Sequence, residues 1–231
     1  MQQLTLDIAP FPRPTLQNFV IGSNAQLLSV LRALPAARGG ERRLCLWGGP
    51  GSGKTHLLSA CAAAAVGGKF IACGNGVNPG ELVAADDPGL FAFDDADRLD
   101  DAGQISLFNL INRRAMHEDS GPLLVSCSQP PVATGLRPDL ATRLAQDLVL
   151  EVVALTDADK AAALAQHAAQ RGMPLTDDVV RYLLTHRSRD LPALIAVLDA
   201  LDKVSLQLQR PVTLPLLREI LQSPLDLENR N

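Results

Sequence analysis

The sequence predicts an α/β protein: a five-stranded parallel sheet with flanking helices, followed by a small all-helical domain. Three observations predict it. Short apolar runs alternate with helical segments as far as Val153, and such alternation gives a parallel sheet covered on both faces. After the first of these runs, Gly48-Gly49-Pro50-Gly51-Ser52-Gly53-Lys54-Thr55 fits G-x-x-x-x-G-K-S/T at every required position and leads into a helix-favouring stretch. Beyond Leu155 no further strand is evident, and capped helices follow one another to about Gln222.

Taken in order, residues 1–14 read as an extended tail. Leu4, Leu6 and Ile8 alternate, and Pro10, Pro12 and Pro14 deny the backbone helix and ladder hydrogen bonds. The tail suits either docking into a partner's groove or an edge strand folded back on the domain. The nucleotide domain is expected over 15–154. Its first helix has Ser23 or Asn24 as cap and Leu27, Leu28, Leu31 and Leu34 on the inner face. Strands follow at Arg43–Trp47, Lys69–Cys73, Leu90–Phe93, Leu123–Ser126 and Leu148–Val153. Helices are expected from His56 to Ala65, from Ala102 to His117 and around Pro138–Leu144, and residues 74–88 read mostly as loop with one turn at Glu81–Ala85. The helical domain spans 155–222. Thr156, Thr176 and Thr213 cap three of its helices, and Ser188 opens a fourth that runs to about Leu208. Residues 223–231 form a polar tail.

Composition narrows the function. At 231 residues the chain has ample length for a real core, and 47% apolar with 20% charged residues is ordinary for a globular chain. A net charge of −4 argues against a large DNA-binding surface of its own. The four cysteines, Cys45, Cys61, Cys73 and Cys127, lack CxxC spacing and sit in apolar runs, as buried reduced thiols do. No signal peptide and no membrane-length apolar stretch is present, so the expected compartment is cytoplasmic with no membrane partner.

The chemistry starts at the glycine-rich loop. Its glycines let backbone N–H groups cradle phosphate oxygens, and the helix N-terminus adds partial positive charge. Lys54 is placed to reach the β- and γ-phosphates, and the Thr55 hydroxyl to ligate Mg²⁺. Asp94-Asp95 closes an apolar strand that is expected to lie beside the loop strand. Asp94 then holds Mg²⁺ through water while Asp95 orients the attacking water; alternatively both merely cap the following turn. Arg143 and Arg189 sit at helical positions, but composition alone does not single them out from Arg137 or Arg187.

Several segments together resemble the AAA+ family, and in detail its clade of DnaA-type replication initiators. Phe19-Val20-Ile21-Gly22-Ser23-Asn24 resembles the segment that embraces adenine, and Phe91-Ala92-Phe93-Asp94-Asp95 resembles the Walker B strand. Leu124-Val125-Ser126-Cys127-Ser128-Gln129-Pro130-Pro131 resembles sensor 1, Leu140-Ala141-Thr142-Arg143-Leu144 the arginine-finger segment, and Ser188-Arg189-Asp190-Leu191 the start of the sensor 2 helix. The resemblance covers about residues 15–222 and departs at Ser128, where the initiators carry an Asp; a charge near the γ-phosphate is expected to be lost there.

The resemblance implies bound ADP or ATP with Mg²⁺, contacted by Phe19, Val20, Ile21, Gly48, Pro50, Gly51, Ser52, Gly53, Lys54, Thr55, His56, Ser128 and Arg189. An initiator continues into a helix-turn-helix domain and begins with a longer helicase-loading domain; neither pattern is expected here. Gln3-Leu4-Thr5-Leu6-Asp7-Ile8 instead resembles the peptide that binds the bacterial sliding clamp, the β subunit of DNA polymerase III, with Gln3, Leu4, Leu6, Asp7 and Ile8 as contacts. The implied role is a regulator that docks on the clamp, touches DNA only through it, and supplies Arg143 in trans to ATP-bound DnaA. Assembly into a homodimer or a larger AAA+ array is compatible with that role. The alternatives are an ATPase acting as helicase loader or motor in its own right, and a truncated initiator.

Overall fold

The computed structural model describes residues 13–34, 42–84, 87–117, 120–186 and 190–222. Gln3, Leu4, Leu6, Asp7 and Ile8 of the tail lie outside the described residues, as do Ser188, Arg189 and the residues after 222. The described chain forms two compact units, Arg13–Ala154 and the segment from Leu155 onward.

The first unit contains α1 (Ala25–Ala33), β1 (Arg43–Trp47), α2 (Lys54–Ala64), β2 (Lys69–Ala72), α3 (Pro79–Leu82), β3 (Phe91–Asp94), α4 (Asp101–Ala115), β4 (Leu123–Cys127), α5 (Pro138–Ala145) and β5 (Leu148–Glu151). The five strands pair in parallel in the order β2-β3-β4-β1-β5. Every residue of β3 and β4 is buried, whereas the edge strands β2 and β5 are half open. That is why the central strands read as unbroken apolar runs. Side chains alternate between faces: Phe91 and Phe93 join Leu107, Leu110, Ile111 and Leu140 on one side, while Ala92 and Leu124 join Leu27, Leu31, Leu57 and Leu58 on the other.

Two expectations need correction. The strand ending at Asp94 does not lie beside β1; β4 sits between them, with Leu46 paired to Ser126 and Phe93 to Val125. Asn24 stands at the N-cap of α1, yet its side chain makes no cap bond. Its amide instead pairs with the backbone of Val153, donating to the carbonyl and accepting the N–H, each at 2.8 Å. A long-range pair that satisfies two backbone groups of the segment after β5 displaces the local cap.

The second unit holds α6 (Asp157–Gln170), α7 (Asp177–His186), α8 (Leu191–Leu208) and α9 (Leu214–Gln222). Thr156 and Asp159 form a reciprocal capping box at the start of α6, as the sequence predicts. α8 begins at Leu191, three residues later than expected, because Pro192 fits the first turn, where its missing N–H costs nothing. Leu194, Leu198 and Leu201 recur at helical spacing and are fully buried against Leu164, Val179, Leu183, Leu216 and Leu217.

Candidate nucleotide site

The site forms where β1 ends. Leu44, Cys45 and Leu46 anchor the strand in both cores, so the loop that follows is held at the C-terminal edge of the sheet. Gly48 N–H donates to the Cys127 carbonyl at 3.3 Å, which ties the loop to the end of β4. A Cβ on Gly48 would stand 2.5 Å from the Val152 carbonyl, so only glycine allows this approach. Gly53, at φ +100°, turns the chain into α2, and a Cβ there would meet the Phe19 ring at 2.8 Å. Gly49, Pro50 and Gly51 form the exposed rim, and the buried Ser52 Oγ has no hydrogen-bond partner. Lys54 opens α2 and is buried; its Nζ donates to the carbonyls of Gly48 at 2.8 Å and Gly49 at 3.3 Å, which holds the ammonium inside the loop.

Both expected Mg²⁺ ligands meet directly: Thr55 Oγ1 donates to Asp94 Oδ2 at 2.6 Å. A third residue, inside the sensor 1 segment but not among the expected contacts, completes the arrangement. Ser126, fully buried in β4, donates its hydroxyl to Asp94 Oδ1 at 2.6 Å and accepts the Asp95 N–H at 2.8 Å. A lone hydroxyl at the penultimate position of the apolar run Leu123–Cys127 was the signal in the sequence. Asp95, left-handed at φ 53°, stands at the N-cap of the 3-10 turn Ala96–Arg98 without a side-chain cap bond, and Asp94 belongs to β3. Burial, together with the Asp94 charge, raises the Asp95 carboxyl above its ordinary range, with Lys54 opposing the shift. Among the described residues no group of three or more His, Cys, Asp or Glu could hold a metal alone. Thr55 and Asp94 thus suit Mg²⁺ that takes its remaining ligands from phosphate and water.

Ser128 stands on the turn after β4, next to a carboxylate of the turn after β3. Its N–H donates to Asp97 Oδ2 at 3.1 Å and its hydroxyl donates to the same oxygen, so a carboxylate does stand at this turn, supplied by Asp97. The Phe19 ring packs on Gly53, with its centroid 5.6 Å from that of His56. His56 Nε2 lies 3.0 Å from the Thr15 carbonyl, which assigns the proton to Nε2 since a carbonyl only accepts. Thr15 and Asn18 bond each other reciprocally, and Val20 and Ile21 lead from there into α1. These residues make one wall beside the loop.

Arg143 lies elsewhere. Its Nε donates to Asn112 Oδ1 at 3.1 Å and its Nη1 to Asp147 Oδ1 at 3.2 Å. Asp147 also holds Arg43, the first residue of β1, at 2.8 Å. With about 3.3 Å of rise per residue along β1, this puts the guanidinium roughly 15 Å from the chain's own phosphate loop.

Comparison with known proteins follows this geometry. A family model described as "Hda, lid domain" matches residues 157–221. A protein of Haemophilus influenzae, itself described as uncharacterized, is 32% identical over 231 residues, covering 95% of this chain and 98% of that one. Domain III of the Thermotoga maritima replication initiation protein DnaA superposes with a TM-score of 0.65 at 19% identity, over 93% of this chain and 98% of that one. AMPPCP-bound DnaA from Aquifex aeolicus gives 0.63 at 19% identity, over 83% of this chain and 65% of that one, so the chain spans about two thirds of that structure. The structural likenesses show the fold: an α/β unit with a parallel sheet, followed by a helical domain.

Proposed function

The chain belongs to the Hda-like AAA+ proteins, and we propose that it regulates replication initiation as an adenine-nucleotide-bound switch that stimulates hydrolysis of DnaA-bound ATP. The observation that carries the nucleotide part is the hydrogen-bond chain Thr55–Asp94–Ser126 beside the Lys54 loop. In this reading the N–H groups of Gly48–Gly53 cradle the phosphates of ADP or ATP, and Lys54 neutralises them. Thr55 and Asp94 hold Mg²⁺, which screens charge between the phosphates. Phe19, Val20, Ile21 and His56 enclose the base. Arg189, beyond the described residues, reads the nucleotide from the lid, and the family's use of ADP as a resident ligand makes ADP the favoured occupant.

The regulatory part rests on the lid match at 157–221, on the tail sequence and on Arg143. Arg143 is remote from its own phosphate loop and is held by Asn112 and Asp147; in this reading it leaves those partners to serve a neighbour's site. As a finger in trans it places positive charge where the γ-phosphate transition state gains negative charge, worth about 10³–10⁵ in rate. Gln3, Leu4, Leu6, Asp7 and Ile8 dock on the sliding clamp, so the activity is confined to clamp-loaded DNA. One observation favours a second reading: Asp94 and Asp95 both stand at the loop, as an ATPase motor or loader needs. Deleting residues 1–8 separates the two. A regulator loses clamp-dependent stimulation of DnaA while its own ADP binding is unchanged; a motor keeps its own ATP turnover and never stimulated DnaA.

A further inference from the structure

We infer that Arg43 is a positioning residue for the arginine finger: it stays on Asp147 when Arg143 leaves, and this keeps Arg143 releasable; the inference rests on the trans-finger reading above. Arg143 is parked rather than displayed. Its side chain is only 13% exposed, with Nε donating to Asn112 Oδ1 and Nη1 to Asp147 Oδ1. To reach a neighbouring phosphate the guanidinium has to give up both bonds. Asn112 is neutral and half-buried, so water can replace the guanidinium there. Asp147 is different, because its side chain is 2% exposed and water cannot take over from a departing cation.

Arg43 removes that obstacle. Its Nε donates to the same Asp147 oxygen at 2.8 Å, closer than Arg143 at 3.2 Å. Arg43 opens β1, and the buried Leu44 and Cys45 that follow it fix its backbone in the sheet. Arg143 reaches Asp147 from the last turn of α5, a contact that side-chain rotation alone can break. Among the described residues no other carboxylate pairs with either arginine, so Asp147 is shared by two cations and keeps one when the finger goes. Taking away a buried ion's sole partner is strongly unfavourable; taking away one of two is not. Two cations on one oxygen also repel each other, which favours departure of the more weakly held.

The test compares wild type, Arg43→Gln, Arg43→Lys and the double variant Arg43→Gln with Asp147→Asn. Glutamine leaves Arg143 as the only cation on Asp147, so the finger is held more tightly. Stimulation of DnaA-bound ATP hydrolysis should fall about tenfold or more in Arg43→Gln, while Arg43→Lys keeps most of it. Adding Asp147→Asn should restore it, because no charge is then left to hold the finger. A purely structural role for Arg43 gives the opposite result, since the double variant loses two groups at the base of β1. A second readout needs no partner: hydrogen exchange at the Arg143 Nε–H, followed by NMR in the full-length protein, should slow in Arg43→Gln and recover in the double variant. Hydrolysis and exchange within about twofold of wild type in Arg43→Gln, or a loss that Asp147→Asn does not relieve, overturns the inference. Wild type that never stimulates DnaA overturns the finger reading instead, and the exchange measurement still decides whether Arg43 governs the release of Arg143.

Discussion

Ser126→Ala is the sharpest probe of how the site is held together. Ser126 is fully buried, and its hydroxyl makes two bonds, one donated to the Asp94 carboxylate at 2.6 Å and one accepted from the Asp95 N–H at 2.8 Å. Alanine removes both at once and leaves the Asp94 oxygen and the Asp95 amide without those partners in a region water scarcely reaches. A bond to a carboxylate contributes about 1.5–3 kcal/mol and a neutral one about 1, so the loss should be roughly 2–4 kcal/mol. At about 2–4 °C per kcal/mol, the unfolding midpoint of the α/β unit should fall by roughly 4–15 °C. Thermal unfolding with and without Mg²⁺-ADP is the assay. Because Asp94 keeps only its Thr55 bond, the gain in ADP affinity on adding Mg²⁺ should shrink as well. A midpoint within about 1 °C of wild type would refute the reasoning, since two buried partners would then have been lost without cost.

Other outcomes follow from the same structure. Asp95 has a folded pKa raised above its ordinary 3.8, so the folded state binds its proton more tightly and loses stability as pH rises from that value through the raised one. Asp95→Asn should therefore melt higher than wild type at pH 7, and the gap should close as pH is lowered toward 3.8; a gap that widens on acidification contradicts the assignment. Leu198→Ala removes a fully buried side chain from the lid core and should cost about 2–5 kcal/mol, read by chemical denaturation as early loss of the lid. An intact lid transition would show that α6–α9 do not share one core.

Local pattern carried much of this molecule into view. The central strands, the phosphate loop and the capping box of α6 are written in contiguous residues, where apolar runs, glycine spacing and a Thr–Asp pair act over a few positions. Strand order was not legible. Whether β4 inserts between β1 and β3 depends on how the α4 crossover packs, and no period in the sequence encodes that. Distance in the chain hid the polar partners too. Asn24 pairs with Val153, 129 residues away, and Ser126 reaches Asp94 across 32. Asp97 meets Ser128 across 31 residues, a contact that no local pattern encodes. The arginines show the limit from the other side. Arg137 makes a half-exposed pair with Asp139, while Arg143 is tied to Asn112 and Asp147, a contrast that only folding creates.

The central claim is best tested by hydrolysis of DnaA-bound ATP on clamp-loaded DNA, with wild-type protein, Arg143→Ala, or Gln3→Ala combined with Leu6→Ala. The account predicts that wild type converts DnaA-ATP to DnaA-ADP, that Arg143→Ala fails although it still binds the clamp, and that the tail variant fails because it does not. Wild type that leaves DnaA-ATP untouched while hydrolysing ATP alone through Asp95 would contradict it.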